Sequence, residues 1–205
     1  MMRQCCRWLA ALLAALVLCG EAESSEALYF PCRSCHGDNG GGNEAMGAPA
    51  IAAMDAKYLA RQLRNFRDGK RGMSLDDPEG RQMNLIMTIL TDDEEIDQLA
   101  RFVEAMPPTM PLRTLPAPAA DVASLYQACA ICHGADGEGR DEMNAPALAR
   151  LDDWYISAQL RKFRDGIRGA AAGDMLGAQM RASVSNLDNR SMDKLAASIV
   201  RLASD

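Results

Sequence analysis

Apolar positions along this chain recur at helical spacing and nowhere alternate over a sustained run. Between residues 55 and 68, Tyr58, Leu59, Leu63 and Phe66 share one face, Asp55 stands where an N-cap belongs, and Gly69 ends the run. Thr91-Asp92-Asp93-Glu94 reads as a capping box opening a second helix with the stripe Ile96, Leu99, Phe102, Val103 and Met106. Its acidic first turn suits the positive end of a helix. Both helices return at residues 155–165 and 188–202. The glycine-rich stretches 38–42 and 136–139 lack the strand and lysine of a phosphate loop and read as turns. The pattern predicts an all-α protein without a sheet.

The recurrence is a duplication. Sliding the chain by 97 positions aligns residues 28–90 with 125–187 without a gap, with 29 identities in 63 positions. Cys32, Cys35 and His36 fall on Cys129, Cys132 and His133; Pro49 falls on Pro146; Phe66-Arg67-Asp68-Gly69 falls on Phe163-Arg164-Asp165-Gly166. Five of the nine prolines lie between the copies, at positions 107, 108, 111, 116 and 118. At about 3.1 Å per residue this stretch is a semi-rigid linker reaching roughly 43 Å, long enough for the two copies to pack side by side. The organisation expected is a leader over 1–22, a first domain over 23–106, a linker over 107–120 and a second domain over 121–205.

The leader carries Arg3 and Arg7, eleven apolar residues from Trp8 to Leu18, and the small residues Gly20 and Ala22 around a cleavage site. These are the parts of a secretory signal peptide, and the run is short for a membrane span. Lipid attachment at Cys19 is an alternative, although Leu16-Val17-Leu18 lacks the small residue such processing wants. Removing the leader leaves four of seven cysteines, two in each copy. Export places them in an oxidising compartment. The formal charge of −6 excludes the basic face that nucleic-acid binding needs.

Both histidines of the chain close a Cys-x-x-Cys-His pentapeptide, Cys32–His36 and Cys129–His133. Two thiols one helical turn apart can add to the two vinyl groups on one haem edge, and the adjoining imidazole then reaches the iron. A shared four-cysteine zinc site would have to join copies 97 residues apart and would leave the histidines unexplained. A thioredoxin-like dithiol wants a strand–helix context that is missing. Two covalent haem c groups are therefore expected. Each copy is about 80 residues, and a core that small supplies only about 3–5 kcal/mol unaided. A haem fills such an interior where aromatics are only 5% of the chain.

No histidine remains for the sixth iron position, so methionine is the natural ligand. Of thirteen methionines, only Met46/Met143 and Met83/Met180 coincide under the repeat. The first pair lies ten residues after its histidine, still on the proximal side; the second lies 47 residues after it, where the chain can have crossed to the other face. Met83 and Met180 are the expected axial ligands with His36 and His133, and Met87 and Met175 are the runners-up. A backbone carbonyl at Pro49 or Pro146 can accept the imidazole N–H and strengthen the ligand. The duplicated polar residues Tyr58/Tyr155, Gln62/Gln159, Arg64/Arg161 and Arg71/Arg168 are candidate donors to haem propionates.

These motifs, with Ala48-Pro49 and Ala145-Pro146 after the glycine turns and a methionine seven residues before Leu90 and Leu187, resemble class I c-type cytochromes. Specifically, they resemble the two-domain dihaem cytochrome c4 family. The resemblance implies two tandem class I cytochrome c domains and a periplasmic carrier of single electrons, in some cases membrane-associated. Its redox partners would be a terminal oxidase, a quinol-oxidising complex or a dehydrogenase. A dihaem subunit of a dehydrogenase or oxidase complex is the alternative. A dihaem peroxidase is a weaker one, because it needs an open iron and a distal acid–base group. Pro31, replaced by Ala128 in the second copy, should disturb the first helix. The second copy also lacks the acidic run 92–95. Residues 23–106 carry a net charge of −6 and residues 121–205 only −2. The two haems are thus expected to differ in potential, and the first domain is expected to dock on a positive surface.

Overall fold

The computed structural model describes residues 25–118 and 123–202. Residues 25–29 are helical, tighten into a 3-10 turn at Phe30–Cys32 and finish as Arg33–His36; this broken helix is α1. It is followed by α2 (Ala56–Arg67), α3 (Pro78–Ile86) with a 3-10 turn at Met87–Ile89, and α4 (Asp93–Glu104). The second copy gives α5 (Ala123–His133), α6 (Asp153–Arg164), α7 (Met175–Val184) and α8 (Asn189–Leu202). The only β pairings among the described residues are two isolated bridges, Asn43 with Ala48 and Arg140 with Ala145. The all-α expectation holds.

The expected helices form, with shifts that have local causes. Asp55 caps α2, its carboxylate accepting from the Tyr58 N–H at 2.7 Å. The cap of α4 is Asp92, which accepts from the Glu94 N–H, so Thr91 stands one residue outside the helix. The sixth helix begins at Asp153, two residues before its expected start. Helices α3 and α7 were not expected, because neither presents a continuous apolar stripe. They are launched by Asp77 and Asp174, whose carboxylates accept from the Gly80 and Gly177 N–H groups. Pro31 lies in the 3-10 turn that breaks α1, whereas α5, with Ala128 there, is unbroken.

Each copy packs its middle helix against its last. Leu59, Leu63 and Phe66 of α2 meet Ile96, Leu99 and Val103 of α4, with Tyr29 of α1 beneath them. Ile156, Leu160 and Phe163 of α6 meet Met192, Leu195, Ile199 and Val200 of α8, with Tyr126 of α5 in the matching place. Met54 packs against both clusters. The linker is ordered where it meets the second copy. Asp152 accepts from the Leu112 N–H, and Asp153 accepts from the Thr114 and Leu115 N–H groups at 2.9 Å each. The leader with residues 23–24, residues 119–120 of the linker, and residues 121–122 and 203–205 of the second domain lie outside the described residues.

Leu99 and Leu195 are 2% and 1% exposed. Leu99→Ala and Leu195→Ala are each expected to cost about 2–5 kcal/mol, the usual range for a buried Leu→Ala cavity. Urea denaturation followed by helical ellipticity and by local hydrogen exchange measures the loss, which should fall in the altered half.

Candidate functional site

The pentapeptide of the first copy ends α1, and the chain then doubles back to cover it. The His36 Nδ1–H donates to the Pro49 carbonyl at 2.9 Å. The return is possible because Gly42 has φ +79° and lies so close to the Pro49–Ala50 peptide that a Cβ would meet Ala50 N at 2.5 Å. The Gly42 N–H in turn donates to the His36 carbonyl at 2.9 Å. The Tyr29 hydroxyl donates to the Gly37 carbonyl at 2.7 Å and holds the end of the helix, and burial pushes that phenol up to about 12. His36 is buried, which lowers its pKa, while the Pro49 carbonyl opposes the shift. The ring is a neutral imidazole with Nδ1 committed, leaving Nε2 as its free nitrogen.

The second copy repeats this geometry. The His133 Nδ1–H donates to the Pro146 carbonyl at 2.9 Å, Gly139 lies under the Pro146–Ala147 peptide with φ +83°, and the Tyr126 hydroxyl donates to the Gly134 carbonyl. The four cysteines of the pentapeptides form no disulfide and are half-buried. Burial raises Cys32, with Cys35 adding to the effect, to about 11, and burial also raises Cys129.

Each copy wraps a cavity around its pentapeptide. The first, about 650 Å³, is lined by Cys32, Cys35, His36, Pro49 and Met83 among its largely apolar walls. The second, about 350 Å³, is lined by Cys129, Cys132, His133, Pro146 and Met180. Both are in the range of cofactor sites. Met83 sits on α3 and Met180 on α7, so the duplicated methionines enter matching walls. Met46 and Met143 line the cavities too, from the 3-10 turns that precede the prolines. Met87, 2% exposed, also lines the first cavity, and its equally buried repeat partner Val184 lines the second, so that position offers a methionine in one copy only. Met175 is 79% exposed and lines neither cavity.

The duplicated polar residues divide into two groups. Arg71 donates to Gln62 Oε1 of its own copy and, across the chain, to the Tyr155 hydroxyl at 3.0 Å and Gln159 Oε1 at 3.1 Å. Arg168 returns the pattern, donating to Gln159, to the Tyr58 hydroxyl at 3.1 Å and to Gln62 at 2.8 Å. Each guanidinium also lies 4.4 Å from a ring centroid, Phe66 for Arg71 and Phe163 for Arg168. Tyr58, Gln62, Tyr155 and Gln159 line both cavities, so this cluster is their common wall. Arg64 and Arg161 line neither cavity. Arg64 pairs with Asp93 and Asp97, and Arg161 pairs with Asp193.

Sequence reasoning missed Lys162 and Trp154. Lys162 reaches from α6 to Asp77 and Glu79 at 2.6 and 2.9 Å, and these pairs raise its pKa against the cost of burial. Both residues line the first cavity. Their repeat partners are Asn65 and Lys57, so a search for duplicated residues passes over them. Trp154 Nε1 and Arg71 Nε in the first cavity, and Arg61 Nε in the second, are buried donors without a partner in the protein. Buried donors of this kind call for an acceptor.

The cytochrome c sequence profile matches residues 22–107 and again 119–202. The chain belongs to the cytochrome c family. It is 30% identical over 197 residues to the thiosulfate dehydrogenase electron acceptor of Stutzerimonas stutzeri, covering 85% of this chain and 87% of the relative. It is 28% identical over 182 residues to cytochrome c4 of Azotobacter vinelandii, covering 82% and 84%. Its fold is that of reduced cytochrome c4 from Pseudomonas stutzeri, with a TM-score of 0.68 at 24% identity over 87% of this chain and 97% of that one. Thiosulfate dehydrogenase from Marichromatium purpuratum also contains the fold, with a TM-score of 0.67 at 28% identity, and 87% of this chain spans 40% of that protein. This cytochrome is a dihaem class I protein of the c4 type, an electron-transfer protein with two covalently attached haem c groups.

Arg71→Ala removes the cation that bonds Tyr155 and leaves Gln62 and Gln159 to Arg168 alone. It is expected to weaken the contact between the copies by at least about 1.5–3 kcal/mol, the worth of one hydrogen bond to a charged group. Faster proteolysis within the linker, at unchanged helical content, is the outcome to look for.

Proposed function

We propose that Cys32 and Cys35 hold the first haem by thioether bonds with His36 and Met83 as its axial iron ligands, and that Cys129, Cys132, His133 and Met180 do the same for the second. The observation that carries this reading is the gathering, in each of two matched cavities, of both thiols, a neutral histidine with only Nε2 free, and a duplicated methionine from a separate helix. The orphaned donors of Arg71, Trp154 and Arg61 fit the group as well, since haem propionates would supply their acceptors. When bound, each haem supplies a reversible one-electron couple at its iron. Pro49 and Pro146 fix the imidazole tautomer, and the thioether of Met83 or Met180 favours the reduced state. With His36 and Met83, or His133 and Met180, both holding the iron, no position would be left there for a substrate.

The domains run over 23–106 and 121–205, joined by the linker 107–120. Residues 1–22 act as a signal peptide, and the mature protein works in the periplasm. Among the described residues no helix is long and apolar enough to cross a membrane. The electron donor is a dehydrogenase of the thiosulfate-oxidising class, which is supported by the name of the Stutzerimonas relative and of a second in Thiomonas intermedia, 32% identical over 157 residues. The acceptor is a terminal oxidase. The acidic first domain favours a basic docking face on the donor.

Optical spectra of the holoprotein test the ligands. The ferric form should show the weak red band of methionine on iron for both haems, and the ferrous form should not bind carbon monoxide. Met83→Ala and Met180→Ala should each abolish half of that band, open one iron to carbon monoxide and lower its potential. An unaltered band in either variant assigns the sixth position to another residue. Reduction by a thiosulfate dehydrogenase should slow as salt rises; a rate independent of ionic strength argues against the charged docking face.

A further inference from the structure

Asp152 occupies the N-cap position of α6, yet its side chain makes no cap bond. Its repeat partner Asp55 does cap, through the Tyr58 N–H. Asp152 is 2% exposed and is turned instead toward the other domain. Its Oδ2 accepts from the Ala50 N–H at 3.2 Å, and its Oδ1 accepts from the linker at Leu112. The Ala50 N–H belongs to the same peptide unit as the Pro49 carbonyl, and that carbonyl accepts from His36 Nδ1 at 2.9 Å. A single peptide group therefore links a carboxylate of the second domain to the histidine of the first. The Pro146–Ala147 peptide accepts from His133 at the same 2.9 Å, but no carboxylate among the described residues bonds its N–H.

The physical effect has a definite sign. The peptide N and O share one π system. A carboxylate on the N–H shifts density toward the carbonyl oxygen, because hydrogen bonds in series polarise one another. The oxygen becomes a stronger acceptor for Nδ1–H, which makes His36 a more basic ligand. A more basic ligand favours ferric iron over ferrous, one of the levers by which a protein sets a haem potential.

We propose that Asp152 is a positioning residue through which the second domain tunes the first haem, lowering its potential by way of the Pro49–Ala50 peptide and His36, with no equivalent at the second haem. This rests on His36 and His133 being the iron ligands proposed above. The linker bonds of Asp153, which reach Thr114 and Leu115 and touch neither histidine-binding peptide, provide the control for a purely mechanical role.

The test uses the holoprotein. Asp152→Asn, Asp153→Asn and Asp55→Asn are compared by spectroelectrochemical titration, with the two haems distinguished by the NMR signals of their methionine methyl groups. Asp152→Asn should shift the electron-exchange equilibrium toward the first haem at least threefold, about 28 mV at 59 mV per tenfold for a one-electron couple. Asp153→Asn and Asp55→Asn should leave that equilibrium unchanged. In the ferrous protein the His36 Nδ1 proton should move upfield in Asp152→Asn while that of His133 stays in place. In the unaltered protein the His36 proton should lie downfield of the His133 proton, a comparison that needs no variant. Equal proton positions, or two potentials that move together or not at all, overturn the proposal. Loss of the methionine-to-iron band, or absence of ring-current-shifted histidine signals, would instead strike at the ligand assignment.

Discussion

A hydrogen bond from a buried histidine to a proline carbonyl sets the geometry on which each half of this cytochrome depends. It fixes the tautomer at Nδ1, and it requires the chain to return over the helix end within thirteen residues. The return requires glycine at 42 and 139, because the proline peptide lies where a Cβ would stand. The tyrosines at 29 and 126 close the arrangement from below by holding the carbonyl that follows each histidine. With the ring immobilised, the helices cannot collapse onto it. They pack on one another around a cavity, and the bound group supplies the interior that a domain this small lacks.

The two cavities are not independent. Arg71 and Arg168 exchange hydrogen bonds with the tyrosine and glutamine of the opposite half, so the shared wall is built from both. Arg168 is buried with its charge retained, since the Tyr58 hydroxyl and the Gln62 and Gln159 side-chain oxygens accept from its guanidinium in place of water. A wall of this kind holds the cavities at a fixed separation. The side chains that make it are the same in each copy, so the contact is nearly two-fold symmetric.

The symmetry is incomplete. The departures cluster around the first cavity. Lys162 and Trp154 enter it from the second half where the repeat has Asn65 and Lys57. Asp77 there is paired with Lys162, while Asp174 has no lysine at the matching position. Asp152 leaves its helix cap to hold the Pro49–Ala50 peptide. The larger first cavity and the break in α1 at Pro31 belong to the same asymmetry.

Much of this was written in the sequence by itself. The doubled pentapeptide and the prolines thirteen residues on were legible because covalent attachment and the return of the chain over the histidine demand particular residue types at particular spacings, and the repeat picked out Met83 and Met180, which line the two cavities. The middle and last helices were legible because their apolar faces repeat every turn. Helices α3 and α7 were not, since each borders a cavity and so shows no continuous stripe to read. The tertiary structure alone decided what the polar residues do. Arg64 and Arg71 are both duplicated arginines near the end of one helix, yet one meets solvent-facing aspartates and the other the opposite domain. Asp55 and Asp152 are the same residue at the same place in the repeat, and only one caps its helix. A hydrogen bond is a property of two groups brought together in space, and partners 84 to 110 residues apart are chosen by how the two copies dock.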